Sequence, residues 1–406
     1  MNARMKAVAG LAAILLAAGA GLAGIPIETV PVGNPGNAAD TRYETPGYGA
    51  VPYTYNIGKY EVTAGQYTAF LTAVGGVDTY GLYNTGMSNT SYGGITRSGS
   101  GTVGDPYTYS VAGDFVYRPV NYVCFWDSCR FANWLHNGQP TGAQGSSTTE
   151  RGAYTLDGYN GNDGRTIQRN LGATWAVTSE DEWYKAAYYK GGSTNAGYWD
   201  YPTSTNSVPG RDMTEATDPG NNANYYTGSG AYPIDSGKYT TVAGEFQLSE
   251  SPYGTFDQGG NVWEWNEAIV YQDSTYASRG LRGGSFGSGY AYLRASGRIG
   301  SGFPATESSE LGFRVSEVAS HPGDATRDGR VNVDDLGILA TNYDTPSGAT
   351  WEMGDFTGDG AVNVDDLGVL ASNYDWVGPG GVSVPEPASL ALLTLGGLAL
   401  LKRRRG

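Results

Sequence analysis

The sequence predicts an α+β body with little regular secondary structure, followed by a small α module that carries two acidic loops. Three observations lead there. Gly supplies 63 residues, and Tyr supplies 31 against 10 Phe, the balance of a loop-rich chain held by ring packing and side-chain hydrogen bonds. Helical periodicity surfaces only in short stretches, set among short apolar runs between Gly and Asn turns. Asp324 to Asp344 recurs as Asp355 to Asp375 at an offset of 31, with five of twenty-one positions changed, which marks one structural unit used twice.

At 406 residues the chain is long enough for roughly two or three domains. Its net charge of −15, from 40 acids and 25 bases, argues against a nucleic-acid partner, for which a basic face supplies most of the affinity. With His136 and His321 as the two histidines, a His-based zinc or iron site is short of ligands. Residues 1–24 read as a signal peptide: Arg4 and Lys6, an apolar run from Val8 to Leu16, then small residues such as Ala18-Gly19-Ala20.

The body is expected over residues 27–318. Its helices announce themselves by their caps. Thr63 with Gln66 three positions on predicts a helix over 63–71, and Ser179 with Glu182 predicts another before Trp183. Phe125, Cys129, Ala132 and Leu135 lie near helical spacing, with Asn137-Gly138 as the stop. Residues 84–114 and 142–165 are small and polar and read as surface insertions. Cys124 and Cys129 open the middle helix, which puts their Cα atoms about 8 Å apart, beyond disulfide reach without rearrangement. Two buried thiols, a rearranged disulfide and a reactive or metal-binding pair all remain open for them.

Residues 321–377 hold the repeats, and each opens on twelve residues. The first supplies Asp324, Thr326, Asp328, the Arg330 backbone and Asp335; the second supplies Asp355, Thr357, Asp359, the Ala361 backbone and Asp366. Oxygens at positions 1, 3, 5, 7 and 12, with Gly at position 6 for the turn, form a calcium cage. Both loops depart from the EF-hand pattern at Thr326 and Thr357 and in closing with Asp instead of Glu. One amphipathic helix follows each loop. Loop and helix, twice, with no entering helix, resembles a type I dockerin. That resemblance implies a cohesin-like partner, contacted through Val333-Asp334 and Val364-Asp365.

Residues 378–384 form a Gly/Pro linker. In 385–406, Pro385-Glu386-Pro387 precedes the apolar run Ala388 to Leu401 and the cluster Lys402 to Arg405. The run is short for a span that needs about 20 residues, and the basic end would stay cytoplasmic. The three parts in this order resemble a PEP-CTERM sorting tail. The resemblance implies an exosortase-type protease as a partner and an exported, cell-surface or extracellular protein held transiently in the membrane.

Six segments of the body, in order, resemble the formylglycine-generating enzyme, or sulfatase-modifying factor, family. They are Ile57 to Thr63, Pro119 to Val123, Thr178 to Trp183, Gly260 to Trp265, Arg282 to Phe286 and Gly312 to Arg314. The resemblance implies an elaborated C-type-lectin-like fold. It also implies a calcium site at Asp257, Gly260, Val262 and Glu264, and a ligand groove that keeps Trp263, Ser285, Arg294 and Arg298. The family's enzymes oxidise a cysteine with a reactive cysteine pair and copper just after the Gly-Gly-Ser motif. Here Phe286 to Arg298 contains no cysteine, and Ser cannot replace a thiolate as nucleophile or soft ligand, so copper is not expected and calcium is the expected metal. The expectation is a non-catalytic binding module for a peptide or glycan, with the repeats serving assembly. The alternatives are a divergent oxidase, a polysaccharide-degradation component, or a purely structural surface protein.

Overall fold

The computed structural model describes residues 24–170, 172–214, 220–228, 233–235, 237–317, 321–326 and 330–376. The signal peptide up to residue 23, Asp328, the linker and the sorting tail lie outside the described residues. In chain order the body carries β1 (Thr29–Val32), β2 (Tyr55–Gly58), α1 (Ala64–Val74), β3 (Ile95–Ser98), β4 (Thr108–Val111), α2 (Phe125–His136), β5 (Trp175–Val177) and α3 (Glu180–Tyr188). β6 (Trp263–Gln272), β7 (Ala277–Arg282), β8 (Ile299–Gly302), β9 (Leu311–Phe313) and β10 (Val315–Glu317) complete it.

The caps act as the sequence predicts. Thr63 Oγ1 accepts the Gln66 amide at 3.2 Å while Gln66 Oε1 accepts the Thr63 amide at 2.9 Å. Ser179 and Glu182 repeat the exchange at 3.1 and 2.7 Å. Each pair satisfies two N–H groups that a helix start leaves open. α1 runs to Val74, one turn past the predicted end, because Tyr67, Phe70, Leu71 and Val74 all bury on one face.

One sheet has the order β1-β2-β10-β5 and is antiparallel throughout. The other has the order β8-β7-β6-β9, with β6 and β9 parallel. Arg314 alone separates β9 from β10, so it stands where the chain crosses from the second sheet to the first. The core closes around α2, whose Phe131 meets Phe70 of α1 at 5.3 Å and Phe313 of β9 at 5.4 Å.

The two expected surface insertions keep most of their residues exposed or half-exposed, but each sends a few side chains into the core. In 84–114, β3 and β4 pair as a hairpin, and Met87 and Ile95 are buried. In 142–165, Ala153, Tyr154 and Leu156 join the main cluster, and Glu150 pairs with fully buried Arg130 at 2.7 Å. Small, polar composition misled here because the buried polar groups are paired, and paired polar groups do not resist burial.

In the repeat module, α4 (Val333–Asn342) and α5 (Val364–Ser372) also start on caps. Asn332 and Asn363 accept the amides of Asp334 and Asp365 at 2.6 and 2.8 Å. Asp335 and Asp366 return to the Asn amides at 2.9 Å each. The loops are cross-tied: the Asp375 amide donates to the Val331 carbonyl at 2.8 Å, and the Asp344 amide to the Val362 carbonyl at 2.9 Å. Each loop is thus pinned by the end of the other repeat, around a core of Val331, Leu339, Val362 and Leu370. Trp376 stacks on His321 at 3.7 Å and also packs against the body cluster that contains Val32 and Ile57.

Candidate functional site

β7 is followed by Gly283 and Gly284, both at positive φ, 95° and 76°. A Cβ on Gly283 would meet the Gln258 carbonyl at 2.7 Å, so only glycine makes this turn cheaply. The turn carries Ser285 inward. Its Oγ lies 3.1 Å from Ser288 Oγ and donates to Glu310 Oε2 at 2.5 Å. Glu310 precedes β9, and its carbonyl accepts the Trp263 amide at 2.8 Å. Aromatic residues stand in the same region, and Tyr92 lies within electrostatic reach of this carboxylate. Tyr92 stacks on Tyr239 with centroids 4.4 Å apart, and Phe286 meets Tyr239 at 5.4 Å. Tyr292 stands edge-on to Trp263 at 5.5 Å. Tyr290 and Tyr292 are 50 % and 47 % exposed. The result is a ring-lined surface over a buried hydroxyl and a half-buried carboxylate.

The four predicted groove residues fall into two settings. Trp263 and Ser285 are buried beneath this surface. Arg294 turns to Asp200 at 3.4 Å and Arg298 to Glu180 at 2.6 Å. Trp263 and Ser285 are thus buried, and Tyr290, Tyr292, Tyr92 and Glu310 are the groups of this region left exposed or half-buried. The alternation of Tyr290 and Tyr292 could have pointed to exposed rings; nothing in the sequence around Glu310 marks it.

In the calcium set drawn on Asp257, Gly260, Val262 and Glu264, both carboxylates have protein partners. Glu264 is fully buried, and Arg314 holds both its oxygens, at 2.9 and 3.0 Å. The Trp183 indole adds a third donor at 2.7 Å. Arg314 also donates to the carbonyls of Gly58 and Phe256 at 2.7 and 2.8 Å. A guanidinium thus sits against the carboxylate that the expected calcium set includes. Asp257 Oδ2 accepts the Gly244 amide at 2.6 Å, and burial pushes this carboxyl up to about 6. Among the described residues no group of three or more His, Cys, Asp or Glu could hold a metal ion.

Cys124 and Cys129 are buried and unpaired at the start of α2. Burial pushes both thiols well above their ordinary range, the reverse of an activated thiolate. Cys124 contributes through its backbone, donating to Asp127 Oδ2 at 2.9 Å as the helix begins. Beside it, Asp127 and Glu307 form a carboxyl pair, raised to about 6 and about 7, chiefly by burial.

In the repeats, Asp324, Asp335, Asp355 and Asp366 are buried. Asp355 accepts the Gly358 and Gly360 amides at 2.7 and 2.8 Å, and Asp366 the Phe356 and Thr357 amides at 2.9 Å each. Thr326 and Thr357 reach Asp324 and Asp355 at 3.2 and 3.4 Å. Asp359 accepts the Ala361 amide at 2.8 Å. Each of these acids of the second loop thus accepts from amides of its own loop.

Residues 26–319 match the sulfatase-modifying factor enzyme 1-like domain. The chain belongs to that family. Among solved structures it is similar to CarF, at 19 % identity over 72 % of this chain and 99 % of that one, with a TM-score of 0.46. Treponema denticola variable protein 1 is 19 % identical over 71 % and 94 %, with a TM-score of 0.40. PvdO from Pseudomonas aeruginosa is 20 % identical over 73 % and 93 %, with a TM-score of 0.37. Residues 383–405 match the PEP-CTERM protein-sorting motif, which marks the protein for exosortase recognition and export, with the C-terminal tail anchored in the membrane. No helix among the described residues is long and apolar enough to cross a membrane.

Proposed function

We propose that this family member is a non-catalytic binding protein of the cell surface. Its ring-lined surface around Glu310 takes a peptide or glycan, and the calcium-ordered, dockerin-like repeats attach it to an assembly. The observation that carries the reading is the placement of its thiols. The Ser of Gly-Gly-Ser and the segment after it offer Ser285, Phe286, Ser288, Tyr290 and Tyr292, while the two cysteines are sealed in the core at α2. The family's oxidation chemistry needs accessible thiolates to bind copper and pass electrons. Exposed tyrosines beside a carboxylate suit recognition, since each ring offers an apolar face and a polar tip.

The repeats support the assembly role. Val333 and Val364 are 40 % and 61 % exposed at equivalent helix starts, each followed by an exposed Asp334 or Asp365. Valines left in water beside acids, at the same position of both repeats, suit a docking face for a cohesin-like partner. The body is tested with a sulfatase-type cysteine peptide, copper and oxygen, followed by mass spectrometry, alongside a glycan and peptide array. Binding without aldehyde formation is expected. Aldehyde product would overturn the reading in favour of a divergent oxidase.

A further inference from the structure

Ser285 Oγ accepts the Gly287 amide at 3.1 Å and gives its own proton to Glu310 Oε2 at 2.5 Å. That hydroxyl is the one donor the half-buried carboxylate meets among the described residues; Oε1 meets none, and no Lys or Arg pairs with it. Glu150, Glu180, Glu182 and Glu264 are treated differently, each facing a guanidinium at 2.7 to 2.9 Å. A Cβ on Gly287 would stand 3.1 Å from Cδ and from both oxygens of Glu310, so the glycine leaves that face of the carboxylate uncovered. We infer that Glu310 takes the cationic head of a lysine or arginine side chain of a peptide ligand, with the neighbouring tyrosines lying along its stem. The inference rests on the reading of this surface as a binding site and names the class of ligand it takes.

Three physical arguments favour a cationic head. A partly desolvated carboxylate with a single hydroxyl donor lacks a counter-charge, and an ammonium or guanidinium supplies both the charge and the missing hydrogen bonds. Rings flank the residue on two sides. Asn121 Nδ2 bridges the carbonyls of Tyr92 and Ser309 at 2.9 Å each, which holds Tyr92 beside the segment that carries Glu310. On the other side the Trp263 amide donates to the Glu310 carbonyl at 2.8 Å, and half-exposed Tyr292 stands edge-on to Trp263. Aromatic faces attract cations, and the net charge of −15 draws basic partners to the protein. A lysine or arginine also fits better than an amino sugar. Its long apolar stem can lie on rings while the head reaches a half-buried acid, whereas an amine fixed on a pyranose stays close to the bulk of its ring.

The test uses the whole exported chain and calorimetric titration with four probes: an end-blocked peptide of alternating glycine and lysine, the same peptide acetylated on its lysines, a neutral N-acetylglucosamine oligomer and its free-amine counterpart. The lysine peptide is expected to bind, and acetylation, which keeps the stem and removes the charge, to weaken it by about tenfold or more. Glu310→Gln should bring the lysine peptide down to the level of its acetylated form. Equal binding of the two peptides by the wild type, or full lysine-peptide affinity in Glu310→Gln, would overturn the inference; the first comparison needs no variant and so stands even if Glu310→Gln misfolds. Tighter binding of the free-amine oligomer than of the lysine peptide would overturn it too, by giving the carboxylate to an amino sugar. Binding of the neutral oligomer alone would overturn the cationic ligand and leave the binding surface standing, whereas no binding by any probe would remove the surface and the inference together.

Discussion

Replacing Glu264 with Gln removes one charge from a fully buried pair and strands the other. Arg314 would keep its two carbonyl partners, Gly58 on β2 and Phe256, but lose the carboxylate that meets its guanidinium at 2.9 and 3.0 Å. Breaking one side of a buried pair costs about 3–5 kcal/mol, because an uncompensated charge remains in low dielectric. Loss of the Trp183 indole bond at 2.7 Å adds about 1 kcal/mol if Gln cannot replace it. For a domain of this size the sum corresponds to a fall in Tm of roughly 10 °C. Thermal melts of wild type, Glu264→Gln, Arg314→Met and the double variant close a cycle. The double variant should be less damaged than either single, since no charge is left alone. The same melts in chelator decide what Glu264 does: an ion-pair role predicts that the loss persists there. A loss below about 1 kcal/mol, or one that vanishes in chelator, would refute the argument and return Glu264 to the calcium set.

Three further outcomes are expected. Glu307 and Asp127, raised to about 7 and about 6, bind protons more tightly folded than unfolded, so their stabilisation is full below the ordinary carboxylate range and fades as pH rises through 6 to 7. Glu307→Gln should flatten that slope by about 2 kcal/mol after allowing for its partial exposure, and an unchanged slope in pH-dependent denaturation would count against the pair. Calcium should protect the amides of α4 and α5 from hydrogen exchange in the whole exported chain, and Asp355→Ala should cancel this for the second loop; equal protection in chelator would show the loops to be ordered by their own hydrogen bonds. Intact-mass analysis of native protein should find an end near Pro385 to Pro387, whereas recovery through Gly406 would show the tail to be retained.

Much of the local structure was legible because it is written in short-range chemistry. Thr63 with Gln66, and Ser179 with Glu182, specify helix starts from side chains three residues apart, and both starts formed. The repeat was legible for the same reason: twelve residues and one helix make a unit whose own residues close it. What escaped the sequence was long-range. Glu150 looks like an acid in a polar insertion until Arg130, twenty residues earlier, is seen to bury it. Glu264 looks like an acid without a cationic partner until Arg314, fifty residues on, is found against it. Glu310 meets Ser285 only because β9 lies parallel to β6 and brings the two segments side by side.

The position of Arg314 connects these long-range features. β9 belongs to the sheet that presents Ser285 and Glu310, and β10 belongs to the sheet built on β1 and β2. One residue between them cannot turn freely, and here its side chain is locked by four hydrogen bonds to Glu264, Gly58 and Phe256. Glu264 sits on β6, opposite Gly312 of β9. The ion pair therefore ties β6 to the other sheet, with Glu264 one residue from Trp263, where Glu310 and Leu311 meet it. A charged pair is a weak source of net stability compared with an apolar replacement, but its directional bonds fix a register that an apolar contact would leave loose. On that reasoning the Arg314→Met, Glu264→Gln double variant should regain stability and still lose ligand binding, because the carboxylate of Glu310 would no longer be held in place. Full binding by a stable double variant would show that β6 and β9 hold their register without the pair.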